Sequence, residues 1–276
     1  MKKSLILFSF IFAIATILAG CGGTDQDNNA GNEENNGTEQ TGSLFDEIKD
    51  KGVLTVGTEG TYAPYTFHNA EDKLTGYDVE VIREVAKRMD LEVEFMETQW
   101  DSMFAGLNSK RFDLIANQVG INEDRLANYE FSEPYTYSSA VLVVAKDNSD
   151  IKTFADLKGK KAAQSLTSNY GAIAQENGAE IVGVEGLAQS IELIKQGRAE
   201  ATVNDKLAVL DYIKSQGDES IKIAVSSDDV SEMAFTFNKG NEDLVKAVNE
   251  QLATMRDDGT LAKISQEWFG EDVSTK

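Results

Sequence analysis

The sequence predicts an α/β protein made of two similar lobes with a ligand cleft between them. Three observations carry this expectation. Short apolar strands alternate with amphipathic helices, the pattern of parallel sheets covered by helices on both faces. One helix–strand unit then has an echo. Arg111-Phe112-Asp113-Leu114-Ile115-Ala116-Asn117 and Arg198-Ala199-Glu200-Ala201-Thr202-Val203-Asn204 share the order Arg, apolar, acid, apolar strand, Asn. Chance likeness between two such units is the plainer account of it; a real repeat gives two facing lobes. Lastly, Asn117-Gln118 and Asn204-Asp205 stand at the carboxyl ends of those strands, where open α/β sheets bind ligands.

In chain order, strands are expected at 53–58, 91–97, 113–117, 140–145, 161–165, 180–184, 199–204 and 221–225. Each is a short stretch with continuous or alternating apolar residues. Between them, 77–89, 102–109, 168–177, 187–196 and 206–215 space their apolar residues as helices do; Tyr77, Val81, Ile82 and Val85 form one such face. The chain closes differently, with a strand at 234–238 followed by helices at 242–256 and 261–268.

The N-terminus sets the compartment. Lys2 and Lys3 precede a run from Ser4 to Ala19 without a charge, short for a membrane span and ending in small residues. Residues 1–20 therefore read as a secretory signal. Leu18-Ala19-Gly20-Cys21 is similar to a bacterial lipobox, which implies acyl chains on Cys21 and a lipid-anchored protein on the extracytoplasmic face of the cell membrane. The alternative is a soluble secreted protein with an incidental cysteine. Residues 21–42 hold no Val, Ile, Leu, Met or aromatic residue and carry five acids among Asn, Gly, Gln and Thr. Such a segment buries too little to order itself and reads as a tether, with a reach of about 25 Å.

Composition narrows the function. The 276 residues carry 26 Lys plus Arg against 47 Asp plus Glu, a net charge of −21, which argues against nucleic acid or an anionic membrane surface as the main partner. One Cys and one His exclude a disulfide framework, thiolate clusters and His-rich metal sites, so no cofactor is expected. Gly57-Thr58-Glu59-Gly60 lacks the spacing of a phosphate loop. His68 reads as a surface or structural residue, and Ser149-Asp150-Ile151-Lys152 lacks the companions of a serine–lysine nucleophile. A chain rich in carboxylates but without an activated nucleophile reads as a binder.

Several residues suit a zwitterionic ligand. Arg125 can clamp a carboxylate with two parallel N–H bonds. Thr167, Ser168 and Asn169 stand where a strand becomes a helix, so their hydroxyls and N–H groups can also meet an anion. Asp205 can accept from an ammonium, and Tyr62 and Trp100 offer aromatic walls. Each has a plainer reading: Arg125 as a surface charge, Asp205 and Ser168 as helix caps, Trp100 and Tyr62 as core.

The order of segments resembles the polar-amino-acid family of extracytoplasmic solute-binding proteins that feed ABC importers. The matching segments are Gly57-Thr58-Glu59, Tyr62-Ala63-Pro64, Leu74-Thr75-Gly76-Tyr77-Asp78-Val79, Phe131-Ser132-Glu133-Pro134-Tyr135, Ala155-Asp156-Leu157-Lys158-Gly159 and Asp258-Gly259-Thr260-Leu261. The resemblance implies a type II periplasmic-binding-protein-like fold. In it two α/β lobes, 43–143 with 236–276 and 144–235, are joined by crossing hinge strands near 141–145 and 233–237 and close over the ligand. ETQWDSM from Glu97, ANQVG from Ala116, AQSLTSNYG from Ala163, EGLAQS from Glu185 and ATVNDKLAVLDY from Ala201 are similar to the cystine-binding members. Asn117-Gln118-Val119-Gly120 replaces the Ser-Gly-Met-Thr usual in the broader family, which favours that branch.

Carried over, the resemblance gives Arg125 the ligand carboxylate with help from Thr167 and Ser168, and Asp205 the α-ammonium. Tyr62 and Trp100 pack on the ligand, Gln118 and Gly120 add polar contacts, and Glu59 reaches the distal end. The expected partners are L-cystine or a related polar amino acid and a permease with its ATPase, with the chain itself a monomer. The alternatives are a binder of another polar amino acid, a dehydratase-like enzyme on the same scaffold, and a sensor.

Overall fold

Two β-α-β-α-β units of the same winding make up most of the chain. The computed structural model describes residues 42–276; the expected signal segment, Cys21 and tether residues 21–41 lie outside them. The first unit follows α1 (Leu44–Lys51) and consists of β1 (Val53–Thr58), α2 (Tyr77–Arg88), β5 (Glu92–Glu97), α3 (Trp100–Asn108) and β6 (Leu114–Gly120). A small antiparallel sheet of β2 (Thr61–Tyr62), β3 (Thr66–His68) and β4 (Leu74–Thr75) is inserted after β1. The second unit is β9 (Lys161–Gln164), α5 (Asn169–Glu176), β10 (Glu180–Gly183), α6 (Leu187–Lys195) and β11 (Ala201–Asp205), followed by α7 (Lys206–Gln216). Connecting them are α4 (Glu123–Asn128), β7 (Tyr129–Phe131), β8 (Thr136–Ala145) and β12 (Ile221–Asn238), and the chain ends with α8 (Glu242–Asp257) and α9 (Thr260–Phe269).

The units share a strand order as well as a winding. The main sheet runs β10-β9-β11-β8-β12-β6-β1-β5, with β7 added beside β12. The first strand of each unit therefore sits between its second and third. The repeated acids have the same task in both: Asp113 Oδ2 accepts from Thr55 N at 2.8 Å and Thr55 Oγ1 at 2.7 Å, and Glu200 Oε2 accepts from Lys161 N at 2.7 Å. Each carboxylate ties the start of its lobe's first strand to the approach to the third.

The expected parallel sheets hold only within the units. β1 is parallel to β5 and β6, and β9 is parallel to β10 and β11, but β8 and β12 run antiparallel to their neighbours. These two strands carry the chain from one lobe to the other and back. The strands expected at 221–225 and 234–238 are one 18-residue strand, β12. Register shifts at Ile223/Val225, Ser226/Val230 and Ala234/Thr236 let its start pair with β8 and its end with β6.

Strand alternation then fills the core of the first lobe. Leu114 and Ala116 of β6 join Val81, Val85, Leu252, Met255 and Leu261 beneath α2, α8 and α9. Ile115 and Val119 face the other way, against Met103, Leu107 and Phe112 beside α3. Two helices fall outside the sequence expectation. A capping box between Ser43 and Asp46, with left-handed Gly52 at the other end, closes α1; Asn122 caps the short α4.

Candidate functional site

The parallel strands of both lobes point their carboxyl ends at one small cavity, of about 40 Å³. Glu59 follows β1, Asn117 and Gln118 lie in β6, and Gln164 and Asn204 lie at or near the ends of β9 and β11. Helix starts supply Trp100 from α3, with Ser168, Asn169 and Tyr170 from the start of α5.

In the first lobe, one amide positions the acid. Asn117 Oδ1 accepts from Glu59 N at 2.7 Å while its Nδ2 donates to Glu59 Oε2 at 2.6 Å. Burial pushes the Glu59 carboxyl up to about 7, opposed by the Asn117 hydrogen bond and assisted by the charge of Asp101. Glu59 makes no ion pair among the described residues.

Gln118 lines the cavity and also braces its own strand end. It holds φ at +50°, a left-handed conformation uncommon outside glycine. There its backbone N–H donates to Asp78 Oδ2 at 2.7 Å, and Nε2 donates to Asp78 Oδ1 at 2.6 Å and Thr136 Oγ1 at 3.1 Å. Only Oε1 is left without a partner among the described residues. Burial pushes the Asp78 carboxyl up to about 7 against those hydrogen bonds. Asp78 is thus the anchor of the β6 end, a role the sequence did not reveal although its segment was part of the resemblance.

Arg125 is a desolvated cation without an anion. Its side chain returns from α4 so that Nη1 donates to the Gly120 carbonyl at 2.9 Å, and the guanidinium lies 5.4 Å from the Trp100 ring centroid and 5.3 Å from that of Phe104. The residue is 8% exposed and has no carboxylate partner among the described residues. Burial pulls its pKa down to about 10, although aromatic faces partly stabilise the charge. Arg125 lines an opening beside the main cavity, with Thr167, Ser168 and Asn169; Ser168 and Asn169 line both spaces.

Asp205 is a helix cap whose second oxygen is the less fully used. Oδ1 accepts from Leu207 N at 2.8 Å, Ala208 N at 3.1 Å and the Tyr65 hydroxyl at 2.6 Å. Oδ2 accepts from the Tyr170 hydroxyl at 3.3 Å, and the Ser138 hydroxyl also lies close enough to lower the carboxyl's pKa. Burial raises this carboxyl, and its hydrogen bonds work the other way. Tyr170 separates it from the cavity, which Asp205 itself does not line.

The remaining expected residues divide. Ser168 lines the cavity while capping α5, accepting from Gly171 N at 2.9 Å. Tyr62 lines it too, and its hydroxyl donates across the cleft to Asn204 Oδ1 at 2.8 Å. Trp100 is a wall whose Nε1 has no partner among the described residues. Gly120 stands behind the wall, contributing its carbonyl to Arg125. Thr167 is exposed, shares the opening of Arg125 rather than the main cavity, and gives both N–H and hydroxyl to Asp101 Oδ1, at 3.0 and 2.8 Å.

Sequence reasoning missed Gln164, which is 2% exposed, lines the cavity and leaves Nε2 unpartnered among the described residues. The strand-end rule that found Asn117 and Asn204 finds it too once applied to β9. Asn169, Tyr170 and Ser190 complete the polar wall. His68 lies apart, its Nε2 2.9 Å from Glu97 Oε1 at the surface. Glu59 with amide and hydroxyl groups lines the main cavity, while Arg125 faces the adjoining opening and Asp205 lies behind Tyr170. Such groups suit a small dipolar molecule.

Comparison with known proteins agrees in kind. The chain is 56% identical over 276 residues, 99% of its length and 100% of the relative's, to the L-cystine-binding protein TcyA of Bacillus subtilis. It is 52% identical to the L-cystine solute receptor of Neisseria gonorrhoeae in an unliganded open conformation, covering 85% of this chain and 100% of that one, with a TM-score of 0.56. A histidine-bound ABC uptake transporter substrate-binding protein of Streptococcus pneumoniae, 26% identical over 85% of this chain and 99% of that one, superposes better, with a TM-score of 0.79. Residues 54–271 match the family described as bacterial extracellular solute-binding proteins, family 3. With two lobes, a shared polar cavity and that match over most of its length, the chain belongs to this family of solute-binding proteins.

Proposed function

We propose that the chain is the extracytoplasmic binding component of an amino-acid ABC importer, that its ligand is L-cystine, and that the lobes close over it. The observation that carries the reading is Arg125, a buried guanidinium with no anion, beside a polar cavity that both lobes line. A ligand carboxylate neutralises it and makes good its lost hydration. The α-ammonium goes to the less fully used oxygen of Asp205 once Tyr170 yields, and Ser168 adds a hydroxyl. Cystine has a second ammonium and carboxylate, and Glu59 takes the distal ammonium. The cystine-binding names of the similar relatives support the same ligand.

Closure is supported by the hydrogen bonds that already cross the cleft and by the better superposition on a ligand-bound relative than on a more similar open one. In this reading 43–143 with 236–276 form one lobe and 144–235 the other, so both boundaries fall inside the crossing strands β8 and β12. Acyl chains on Cys21 hold the monomer at the membrane, and the closed form docks on a permease coupled to its ATPase. The chain delivers its ligand unchanged: the cavity is lined by amides, hydroxyls and aromatic rings, with Glu59 as its one acid.

A thermal-shift panel on the mature chain, refolded to strip ligand, tests the proposal. At a hundred times its dissociation constant a ligand adds about 2.7 kcal/mol of stability. A large shift with cystine and little with other L-amino acids is expected. A larger shift with a different amino acid overturns the cystine assignment, and none with any overturns the amino-acid reading. Metabolic labelling with palmitate, compared with Cys21→Ser, tests the anchor: label that survives the substitution contradicts it.

A further inference from the structure

We propose that Asp101 is a positioning residue that fastens the lobes together outside the ligand cavity and thereby sets how long the ligand stays. The inference rests on lobe closure but not on which amino acid is bound. Asp101 is the second residue of α3 in the first lobe, directly after the cavity-wall residue Trp100. Both of its oxygens are taken by the second lobe. Oδ1 accepts from Thr167 N at 3.0 Å and Thr167 Oγ1 at 2.8 Å, and Oδ2 accepts from Leu166 N at 3.3 Å.

The donors suit this use. Leu166 and Thr167 lie between β9 and α5, beyond the last strand residue and before the Ser168 cap, so neither N–H is taken by the sheet or by the helix. The acceptor suits it too, because a carboxylate in the first turn of α3 is stabilised by the helix dipole before any second lobe arrives. All three residues are exposed and none lines the cavity.

The other side-chain bonds across the cleft are of another kind. Tyr62 to Asn204 and Tyr65 to Asp205 run along or behind the cavity wall, where an incoming ligand competes for the same groups. The Asp101 clasp persists whatever occupies the cavity. In the open form its groups are hydrated, so its net contribution is modest and falls on escape rather than entry.

Stopped-flow measurement on the mature chain, following tryptophan fluorescence, tests this with cystine or whichever amino acid stabilises the protein. Asp101→Ala is expected to raise the dissociation rate about tenfold and leave the association rate within about twofold. Asp101→Asn keeps an acceptor oxygen and restores most of the slow release. Thr167→Val added to Asp101→Ala changes nothing further, since the two act through one another. An unchanged dissociation rate overturns the proposal, and additive losses do so by placing Thr167 on the ligand. Matching urea midpoints establish that the variants fold. If no amino acid binds, the ligand reading fails by itself, and solution scattering on the free protein reads the clasp: Asp101→Ala should have the larger radius of gyration, and equal radii overturn the proposal.

Discussion

The two lobes share a winding and a pair of equivalent asparagines, yet use them differently. Asn117, in the third strand of the first unit, spends its amide within its own lobe on the backbone and carboxyl of Glu59. Asn204, at the matching place in the second unit, accepts from Tyr62 across the cleft. One lobe thus builds a fixed wall, whereas the other supplies a partner for closing. A repeated scaffold sets where polar groups gather, and the side chains at the strand ends decide whether they hold or reach.

The largest expected effect concerns the cation that neither lobe neutralises. Arg125→Ala should weaken ligand binding by roughly 2–5 kcal/mol, the usual cost of removing one partner of a buried charge pair. The free protein should lose far less stability than that, because the guanidinium is unpaired before ligand arrives. Calorimetric titration beside urea unfolding separates the two; equal losses in both would make Arg125 a structural residue.

The asparagines give the next contrast. Asn117→Ala leaves Glu59 without its anchors and should cost about 1–3 kcal/mol of stability. It should also raise the Glu59 pKa further, since Asn117 lowers it. Asn204→Ala should cost less in the free protein and show chiefly in the rate of ligand release. The reverse ranking in urea would break the assignment of wall and closing partner.

Stability should also depend on pH in a stated direction. Glu59 and Asp78 have folded pKa values raised to about 7, and Asp205 is raised as well, in each case chiefly by burial. A carboxyl raised on folding favours the native state when protonated, so this contribution is fully present below the unfolded values near 4. It is lost as pH rises through about 7. Calorimetric melting of the ligand-free chain should therefore occur at higher temperature at pH 5 than at pH 8, with a flatter profile for Glu59→Gln. Asp258, lowered to about 2 by Thr260 and Arg88, opposes this only in strong acid.

The smallest effect comes from the repeated acids. Asp113→Ala removes two half-buried hydrogen bonds and should cost about 1 kcal/mol, whereas Glu200→Ala removes one exposed bond and a surface ion pair with Lys160 and should cost a few tenths. Urea midpoints rank them.

How much was legible follows the range of the interactions. Strands and helices with their own apolar periodicity were readable to within a few residues at their ends, and so was the echo. The middle of β12 was not: Ser226-Ser227-Asp228-Asp229 is polar and largely exposed, and is held in the strand by the bulged pairing with β8. The short α4, β2 and β4 hold too few residues for a period to register. Of the residues named from type, position or resemblance, Tyr62, Trp100, Ser168 and Glu59 line the main cavity and Arg125 the opening beside it. The bond from Thr167 to Asp101 was not readable because its partner lies 66 residues earlier, and no local pattern announces that pairing. Asp78 escaped for the same reason, its partner Gln118 being 40 residues away.

The central claim, a zwitterionic ligand held between an unpaired cation and unpaired acids, is tested most directly by titrating the stripped chain with L-cystine at pH 7 in two buffers of different ionisation enthalpy. The account predicts one cystine per chain with net release of protons, because the Glu59 carboxyl, near its pKa of about 7 in the free protein, ionises on meeting an ammonium. Saturation without proton release would remove Glu59 from the ligand, and no saturation at all would contradict the claim itself.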